Sequence, residues 1–195
     1  MFKLFKNDDK VNVPYSCSSE TLTTEFPIPA IAKPINGRSS EGLKKIENSE
    51  ELKQLIGRSN YIVQENIPGS VLTVDYVRDI FGNDFAIPRE ELLRTKNGAG
   101  TTVKITPNES LIKTVSYIGE KLGVVGCINM EFINNNNKFY LIDINPRFSA
   151  GVAFSNFIGY DMITSHINSF NGMSICSPIK IEEQILCKRY YEEKL

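Results

Sequence analysis

Short runs of apolar residues alternate along the chain with segments of helical spacing. The runs predict strands at residues 30–33, 61–65, 72–78, 85–87, 127–133 and 138–144, and a last strand near 184–190. Apolar residues that recur every three or four positions predict helices at about 1–8, after Asn48, after Thr106 and at about 161–170. Because strands outnumber helices and hairpins are mixed with crossovers, the pattern favours the α+β class.

Two of these helices have predicted capping residues. Asn48 is expected to cap the first, with Glu51 at the capping-box position. Thr106 is expected to cap the second, with Pro107 in the first turn. The buried stripe of the second helix is predicted to contain Leu111, Ile112, Val115, Ile118 and Leu122.

The composition excludes several classes of protein. The chain has 195 residues, of which 41% are hydrophobic and 23% are charged, and its formal net charge is −1. This near-neutral balance argues against a nucleic-acid partner, which usually requires a basic excess. No apolar run approaches the roughly 18 residues of a membrane helix, and the N-terminal segment lacks the features of a signal peptide. The expected location is therefore cytoplasmic, with no membrane partner.

Cysteine and histidine exclude further chemistry. The 4 cysteines are scattered without a C-x-x-C pair, so neither a thiolate zinc site nor a disulfide framework is expected. The single histidine, His166, lies within the helical spacing of Ile163, Ile167 and Phe170 and is predicted to be a surface or packing residue. Chemistry that needs two histidines is thereby excluded.

The acidic residues of the last predicted hairpin point most directly to chemistry. Glu131 lies on one strand, and Asp143 and Asn145 lie two positions apart on the next, so the latter two share a face. Two carboxylates and an amide oxygen suit Mg²⁺ bound together with substrate phosphates. Arg147 follows two residues later, where a guanidinium could brace a phosphate. A polar solvent face that ends in an Asn-Pro turn would give the same pattern.

This metal site sets a condition on the hairpin. A two-residue turn at Asn135–Asn136 would place Glu131 opposite Tyr140 and turn Asp143 to the other face of the sheet. The site therefore requires a loop of odd length or a bulge that restores the parity. The asparagine run between the strands tolerates positive φ and suits either solution.

Two further polar segments suggest a bound nucleotide. Lys33 closes an apolar strand and precedes a loop of small and polar residues, which could cover a triphosphate or could be a plain strand-to-helix turn. A later strand ends in Gln64 and Glu65, ahead of a Pro68–Gly69 turn. The polar end of that strand could present hydrogen-bonding groups to an adenine.

The order of these segments resembles the ATP-grasp superfamily, and within it the relatives of carbamoyl-phosphate synthase large chains. The resemblance runs from about Pro27 to Met173 and includes the segments 87–90 (IPRE) and 143–151 (DINPRFSAG). It implies an ATP-grasp fold, in which two lobes of antiparallel sheet plus helices enclose a nucleotide. The small lobe would comprise residues 1–68, and residues 69–195 would form the large lobe with the metal site.

The resemblance also implies an ATP- and Mg²⁺-dependent ligase, with Mn²⁺ as a substitute metal. Such a ligase activates a small-molecule carboxylate as an acyl phosphate for attack by an amine or a similar nucleophile. The residues expected to bind ATP are Lys33, Arg38, Ser39, Ser40, Gly42, Gln64, Glu65 and the backbone of Ile67. The expected metal ligands are Glu131, Asp143 and Asn145, and Arg147 would be the catalytic residue that stabilises the transferred phosphoryl group.

Three departures from the family pattern leave an alternative open. Val71 stands where the family has a glutamate for the ribose, and Asp143 is one methylene shorter than the usual glutamate. The preceding α/β domain of the family is also missing. A partner chain or a separate N-terminal domain is therefore expected, docking on an exposed surface of Phe2, Leu4 and Phe5. The alternative is a nucleotide-binding fragment of a split gene without turnover of its own.

Overall fold

The computed structural model describes residues 1–36, 42–95 and 98–188. The helices are α1 (Phe2–Phe5), α2 (Ser49–Lys53), α3 (Glu109–Lys121), α4 (Val152–Phe157) and α5 (Met162–Phe170). The strands are β1 (Ser16–Ser18), β2 (Ala30–Pro34), β3 (Lys44–Ile46), β4 (Tyr61–Glu65), β5 (Ser70–Arg78), β6 (Asp84–Arg94), β7 (Gly100–Ile105), β8 (Gly126–Asn135), β9 (Lys138–Asn145) and β10 (Gln184–Cys187). None of the helices in the described ranges is long and apolar enough to cross a membrane.

The strands form two antiparallel sheets. The small sheet has four strands in the order β1-β4-β2-β3, and the large sheet has six in the order β10-β7-β6-β5-β8-β9. The predicted α+β class is confirmed. The predicted lobe boundary between residues 68 and 69 falls in the connection between β4 and β5 and stays a prediction.

The small sheet buries one face against α2. Ala30 and Ala32 of β2 pack with Leu52 and Leu55, which lie in and just after α2. The Asn48 side chain accepts the N–H of Glu51 at 3.0 Å, as the predicted cap requires. Because side chains alternate along a strand, the other face of β2 carries Lys33.

The large sheet is covered on both faces, but unequally. On one face, Val74 and Met130 pack with Leu111 and Val115 of α3. On the other face, α4, α5 and the C-terminal segment cover one end of the sheet, where Ile87 and Cys127 pack with Phe154 and Met162. The opposite end of this second face carries the acidic residues of β8 and β9.

The N-terminal segment packs against the large sheet although it precedes the small one. Phe5 and Val11 are 1% and 2% exposed and belong to the core around α3. Asp8 accepts the Tyr117 hydroxyl at 3.0 Å and pairs with Lys121. The expected exposed surface is therefore wrong for Phe5, whereas Leu4 is half exposed.

Helix α5 exposes the residues whose spacing predicted it. Its exposed apolar side chains are Ile163, Ile167 and Phe170. Ser165 and Ser169 are buried instead, and each hydroxyl donates to a carbonyl one turn earlier at 2.8 Å, so neither needs a partner on the sheet. His166 accepts the backbone N–H of Cys127 at 2.9 Å and has the expected packing role. The spacing predicted this helix but not its buried face.

Helix α3 begins two residues later than the sequence indicated. The Asn108 side chain accepts the N–H of Leu111 at 2.9 Å, so Asn108 is the cap and the prediction of Thr106 is wrong. Thr106 follows β7, and its N–H donates to the carbonyl of Pro88 at 3.1 Å. The buried Oγ1 of Thr106 has no hydrogen-bond partner within the described ranges.

Removing the Asn108 cap should destabilise the protein. Asn108→Ala is expected to lower the free energy of unfolding by about 1 kcal/mol, because the Leu111 N–H loses its partner. Thr106→Val is the matched control and should cost less than about 0.5 kcal/mol, because the Thr106 hydroxyl bonds to no described group. Urea unfolding measures both changes. An equal loss in the two variants would contradict the assignment of the cap.

Candidate functional site

The hairpin of β8 and β9 closes through a two-residue turn. Asn136 and Asn137 both have positive φ, 52° and 64°, and the pair that flanks them is Asn135 with Lys138. Asparagine tolerates this left-handed conformation, which suits the tight turns of hairpins. The turn therefore has the even length that, with regular pairing, would separate the acidic residues.

A β-bulge restores the parity. Phe132 pairs with Leu141, so a regular ladder would place Glu131 opposite Ile142. The register instead shifts by one residue, and Glu131 pairs with Asp143. Directly opposite residues share a face, so the two carboxylates point to the same side of the sheet.

Asn145 and Arg147 extend this acidic pair. Asn145 pairs with Asn129 on the same face, and its Nδ2 donates to Asp143 Oδ2 at 3.1 Å. Arg147 Nη2 donates to Asn145 Oδ1 at 3.2 Å. The structure thus brings together Glu131, Asp143, Asn145 and Arg147, all of which were predicted from the sequence.

Lys33 reaches this group from the small sheet. Its Nζ donates at 3.2 Å to the carbonyl of Ile142, the residue inserted at the bulge. Burial lowers the pKa of Lys33, and the charges of Asp143 and Glu131 act in the opposite direction. A cation of the small sheet is therefore held at the bulge, where the charges of the two carboxylates of the large sheet act on it.

Glu131 has a second cationic neighbour that the sequence did not reveal. Nη2 of Arg94 lies 3.5 Å from Glu131 Oε2. Burial raises the pKa of Glu131 above its usual value. The neighbouring charge of Asp143 also raises this pKa, whereas the charges of Arg94 and Arg147 lower it. Arg94 stands at the end of β6, far from the acidic residues in sequence, and its spacing shows no relation to them.

The available donors fit a metal that also binds phosphate. Within the described residues, no three Asp, Glu, His or Cys side chains converge on one point. The protein thus offers two carboxylates and one amide, too few for a closed site. Mg²⁺ commonly binds through one or two carboxylates, several waters and substrate phosphates. The Asn145 oxygen already accepts from Arg147, so it would have to share or turn to bind a metal.

The residues predicted to bind the adenine are arranged differently from one another. Gln64 is buried, and its Nε2 donates to Ser16 Oγ at 3.1 Å, so its amide is engaged within the small sheet. Glu65 pairs with Ala30 and faces the side of β4 opposite to Gln64. Within the described residues, Ile67 makes no backbone hydrogen bond. Its N–H and carbonyl therefore have no backbone partner in the part of the chain that the structure describes.

The loop after Lys33 is described at its two ends, up to Asn36 and from Gly42. Arg38, Ser39 and Ser40 lie outside the described residues. Gly42 has a φ of 72°, and a Cβ there would lie 2.8 Å from Cγ of Pro34. A glycine is therefore needed where the loop returns to the residue that follows Lys33.

A buried ion pair lies on the same face of the large sheet as the acidic residues. Arg89 Nη1 is 2.7 Å from Asp75 Oδ2, and both residues are 1% exposed or less. Arg89 Nη2 donates to Ser149 Oγ at 2.8 Å, and Ser155 Oγ donates to Asp75 Oδ2 at 2.7 Å. A Cβ at Gly151 would lie 2.7 Å from Arg89 Nη2. This network fixes the segment after β9 on the sheet. In the sequence, the network was indicated by nothing more than an arginine within the segment 87–90.

Glu131→Gln is expected to stabilise the metal-free chain at neutral pH. Burial raises the pKa of Glu131, so the stability this group contributes is present below the unfolded pKa and lost as pH rises through the folded pKa. The advantage of the variant should therefore grow with pH. Thermal unfolding without metals, between about pH 4 and pH 8, measures this trend. The exposed Glu20→Gln is the control; a gain that is largest in acid would contradict the expectation.

The sequence of this chain is similar to those of known proteins. The sequence matches the family description "ATP-grasp domain" over residues 1–151. It is 28% identical to the carbamoyl phosphate synthase large chain of Agathobacter rectalis over 153 residues, which is 70% of this chain and 14% of that protein. The chain thus spans about one seventh of that relative.

Solved structures share the fold at low sequence identity. Biotin carboxylase of Campylobacter jejuni superposes with a TM-score of 0.73 at 21% identity, over 86% of this chain and 44% of that one. N5-carboxyaminoimidazole synthetase of Staphylococcus aureus, complexed with ADP, gives a TM-score of 0.73 at 17% identity, over 90% of this chain and 52% of that one. The predicted two-sheet ATP-grasp fold is confirmed, and the chain belongs to the ATP-grasp domain family.

Proposed function

We propose that this chain is an ATP- and Mg²⁺-dependent ligase, or a subunit of one, that activates a carboxylate as an acyl phosphate for attack by an amine or a similar nucleophile. The observation that carries the proposal is the hydrogen bond from Lys33 to the Ile142 carbonyl, at the bulge that brings Glu131 and Asp143 to one face. A cation and a carboxylate pair on two facing sheets suit a metal-bound triphosphate between them.

Each residue has a separate role in this proposal. Lys33 donates to phosphate oxygens of the nucleotide, and Arg147 donates to the phosphoryl group during its transfer. Glu131, Asp143 and the Asn145 oxygen hold the metal, for which Mn²⁺ can substitute. Bound Mg²⁺ supplies charge neutralisation at the phosphate oxygens. No protein nucleophile takes part, so a chain with one histidine can perform this chemistry.

The nucleotide would extend along the small sheet. The backbone of Ile67 would pair with the adenine, and the segment from Arg38 through Ser39 and Ser40 to Gly42 would cover the phosphates. Glu65 shares the face of Ala30, so its side chain is directed away from the face that carries Lys33. Gln64 donates one amide N–H to Ser16, so it would bind the adenine through its other N–H or its oxygen. Among the described residues the backbone of Ile67 has no hydrogen-bond partner, which supports the adenine position at this end of β4.

The relatives support the reaction class and suggest a further component. The S. aureus structure is named as a synthetase complexed with ADP, and another neighbour, the biotin carboxylase domain of the Hydrogenobacter thermophilus 2-oxoglutarate carboxylase, is described in complex with MgADP and bicarbonate. This chain spans 14% of the first curated relative. We propose that a partner chain or a further domain completes the binding of the small-molecule carboxylate and amine.

A nucleotide-binding module without turnover is the second candidate. Val71 favours this candidate. It lies two positions before Thr73, which pairs with Glu131, so Val71 is on the acidic face of the sheet. An apolar side chain there cannot accept hydrogen bonds from ribose hydroxyls. The second candidate predicts binding of ATP without a chemical step.

ATP with Mg²⁺ should stabilise the chain against unfolding. A concentration of about 100 times Kd adds about 2.7 kcal/mol to the free energy of unfolding. Lys33→Met keeps the aliphatic stem and removes the cation, so it should reduce this response without lowering the stability of the free chain. Lys113→Met, on the exposed side of α3, is the matched control. Equal responses in wild type and Lys33→Met would contradict the role of Lys33.

Release of ADP separates the two candidates. The full chain is incubated with ATP, Mg²⁺ and a panel of carboxylates that includes bicarbonate and amino acids. The ligase proposal expects ADP release that depends on one of these acceptors and that Arg147→Gln abolishes. Binding of ATP without release of ADP under every condition would favour the second candidate.

A further inference from the structure

Arg94 reaches the acidic face through a second departure from regular pairing. Leu92 is an extra residue of β6 between Glu91 and Leu93, which pair with consecutive residues of β7. Thr73 of β5 pairs with Arg89 on one side and with Glu131 on the other, so these two residues share a face. Glu91 lies two positions after Arg89 and therefore belongs to the same face. With regular alternation, Arg94 would point to the opposite face. The inserted residue reverses that parity. A second shift, in which Thr101 of β7 is skipped, follows between Leu93 and Arg94, and the Arg94 guanidinium lies near Glu131.

The guanidinium of Arg94 is anchored on one edge and accessible on the other. Its Nε donates to the carbonyl of Gly98 at 2.8 Å, which fixes the plane of the group. Its Nη2 lies 3.5 Å from Glu131 Oε2, and the two side chains are 30% and 24% exposed. A solute in the site can therefore reach the Nη groups, which form the forked donor that carboxylates prefer.

Arg94 and Lys33 approach Glu131 from opposite sides. Lys33 bonds to a carbonyl of β9, whereas Arg94 extends from β6. In the order β6-β5-β8-β9, the strand of Glu131 lies between them. Phosphoryl transfer places the attacking and leaving oxygens roughly in line on opposite sides of the phosphorus. If Lys33 marks the side of the nucleotide phosphates, Arg94 marks the side of the acceptor.

We propose that Arg94 binds the carboxylate of the acceptor. In the metal-free protein its Nη2 pairs with Glu131; when that carboxylate is taken up by the metal, the Nη groups donate to the acceptor instead. This inference rests on the proposed function and deepens it, since it assigns an anionic acceptor to the β6 side of the site. Arg147 is left to the phosphoryl group.

Titrations of the full chain saturated with Mg²⁺ and ADP test this assignment. Acetate and bicarbonate probe the carboxylate position, inorganic phosphate probes the phosphoryl position, and NMR chemical shifts report binding. Arg94→Gln should lower the affinity for acetate and bicarbonate at least about tenfold, and it should change the affinity for ADP less than about twofold. Arg147→Gln should lower the affinity for inorganic phosphate more than the affinity for the two carboxylates.

Two further variants keep the result interpretable. Arg94→Lys retains the charge without the fork, so it should recover part of the carboxylate affinity. Arg58→Gln removes an exposed arginine after α2 and should change none of the affinities. A general loss of folding would instead lower the binding of ADP, acetate and phosphate together.

The remaining outcomes overturn the inference in distinguishable ways. If wild type binds ADP but no carboxylate, or if Arg94→Gln leaves carboxylate affinity unchanged, the role of Arg94 is wrong and the proposed function stands. If Arg94→Gln lowers the affinity for ADP as much as the affinity for the carboxylates, Arg94 belongs to the nucleotide side of the site. If wild type does not bind ADP with Mg²⁺, the proposed function and this inference both fail.

Discussion

Strand parity is the constraint on which the site depends. The two-residue turn at Asn136 and Asn137 would separate the carboxylates of β8 and β9 if pairing stayed regular, and one inserted residue, Ile142, brings them to the same face. The same insertion presents the Ile142 carbonyl to Lys33 of the small sheet. A single bulge therefore determines both the facing of the acidic pair and the contact between the sheets. Bulges commonly redirect side chains near functional sites.

The buried pair of Arg89 and Asp75 lies on the same face of the sheet and holds the segment that follows β9. A buried ion pair is weak evidence for stability, because desolvation offsets much of the attraction. Its partners indicate a positional role instead: Arg89 also binds Ser149, whose hydroxyl accepts the N–H of Gly151. The backbone that leads away from Arg147 is thereby held against the sheet. Arg89 Nε, 3.6 Å from Glu91, completes no hydrogen bond within the described residues, so the network is retained at some cost.

Sequence reasoning succeeded where local pattern and local chemistry agreed. The strand 61–65, the Asn48 cap and the acidic hairpin were predicted because alternation and side-chain type act within a few residues. It failed where tertiary contacts decide. Asn108 rather than Thr106 caps α3, since the chain is still bound to β6 at Thr106. Phe5 is buried by a sheet that follows it by many residues. Arg94 lies near Glu131 after two irregularities in the pairing of β6 with β7, which the alternation of apolar residues does not reveal.

The charges of the site couple the metal to the nucleotide. In the ligand-free protein, Arg94 offsets part of the cost of burying the Glu131 carboxylate, and the charges of both carboxylates act on Lys33, which bonds to the bulge. A lone divalent cation would leave these two side chains without their anionic neighbours, in a partly buried setting where unpaired charge is costly. The phosphates of a nucleotide supply the missing negative charge. If the proposed function holds, Lys33 and Arg94 therefore oppose the metal by itself and favour it together with the nucleotide, so each ligand raises the affinity for the other by the same factor.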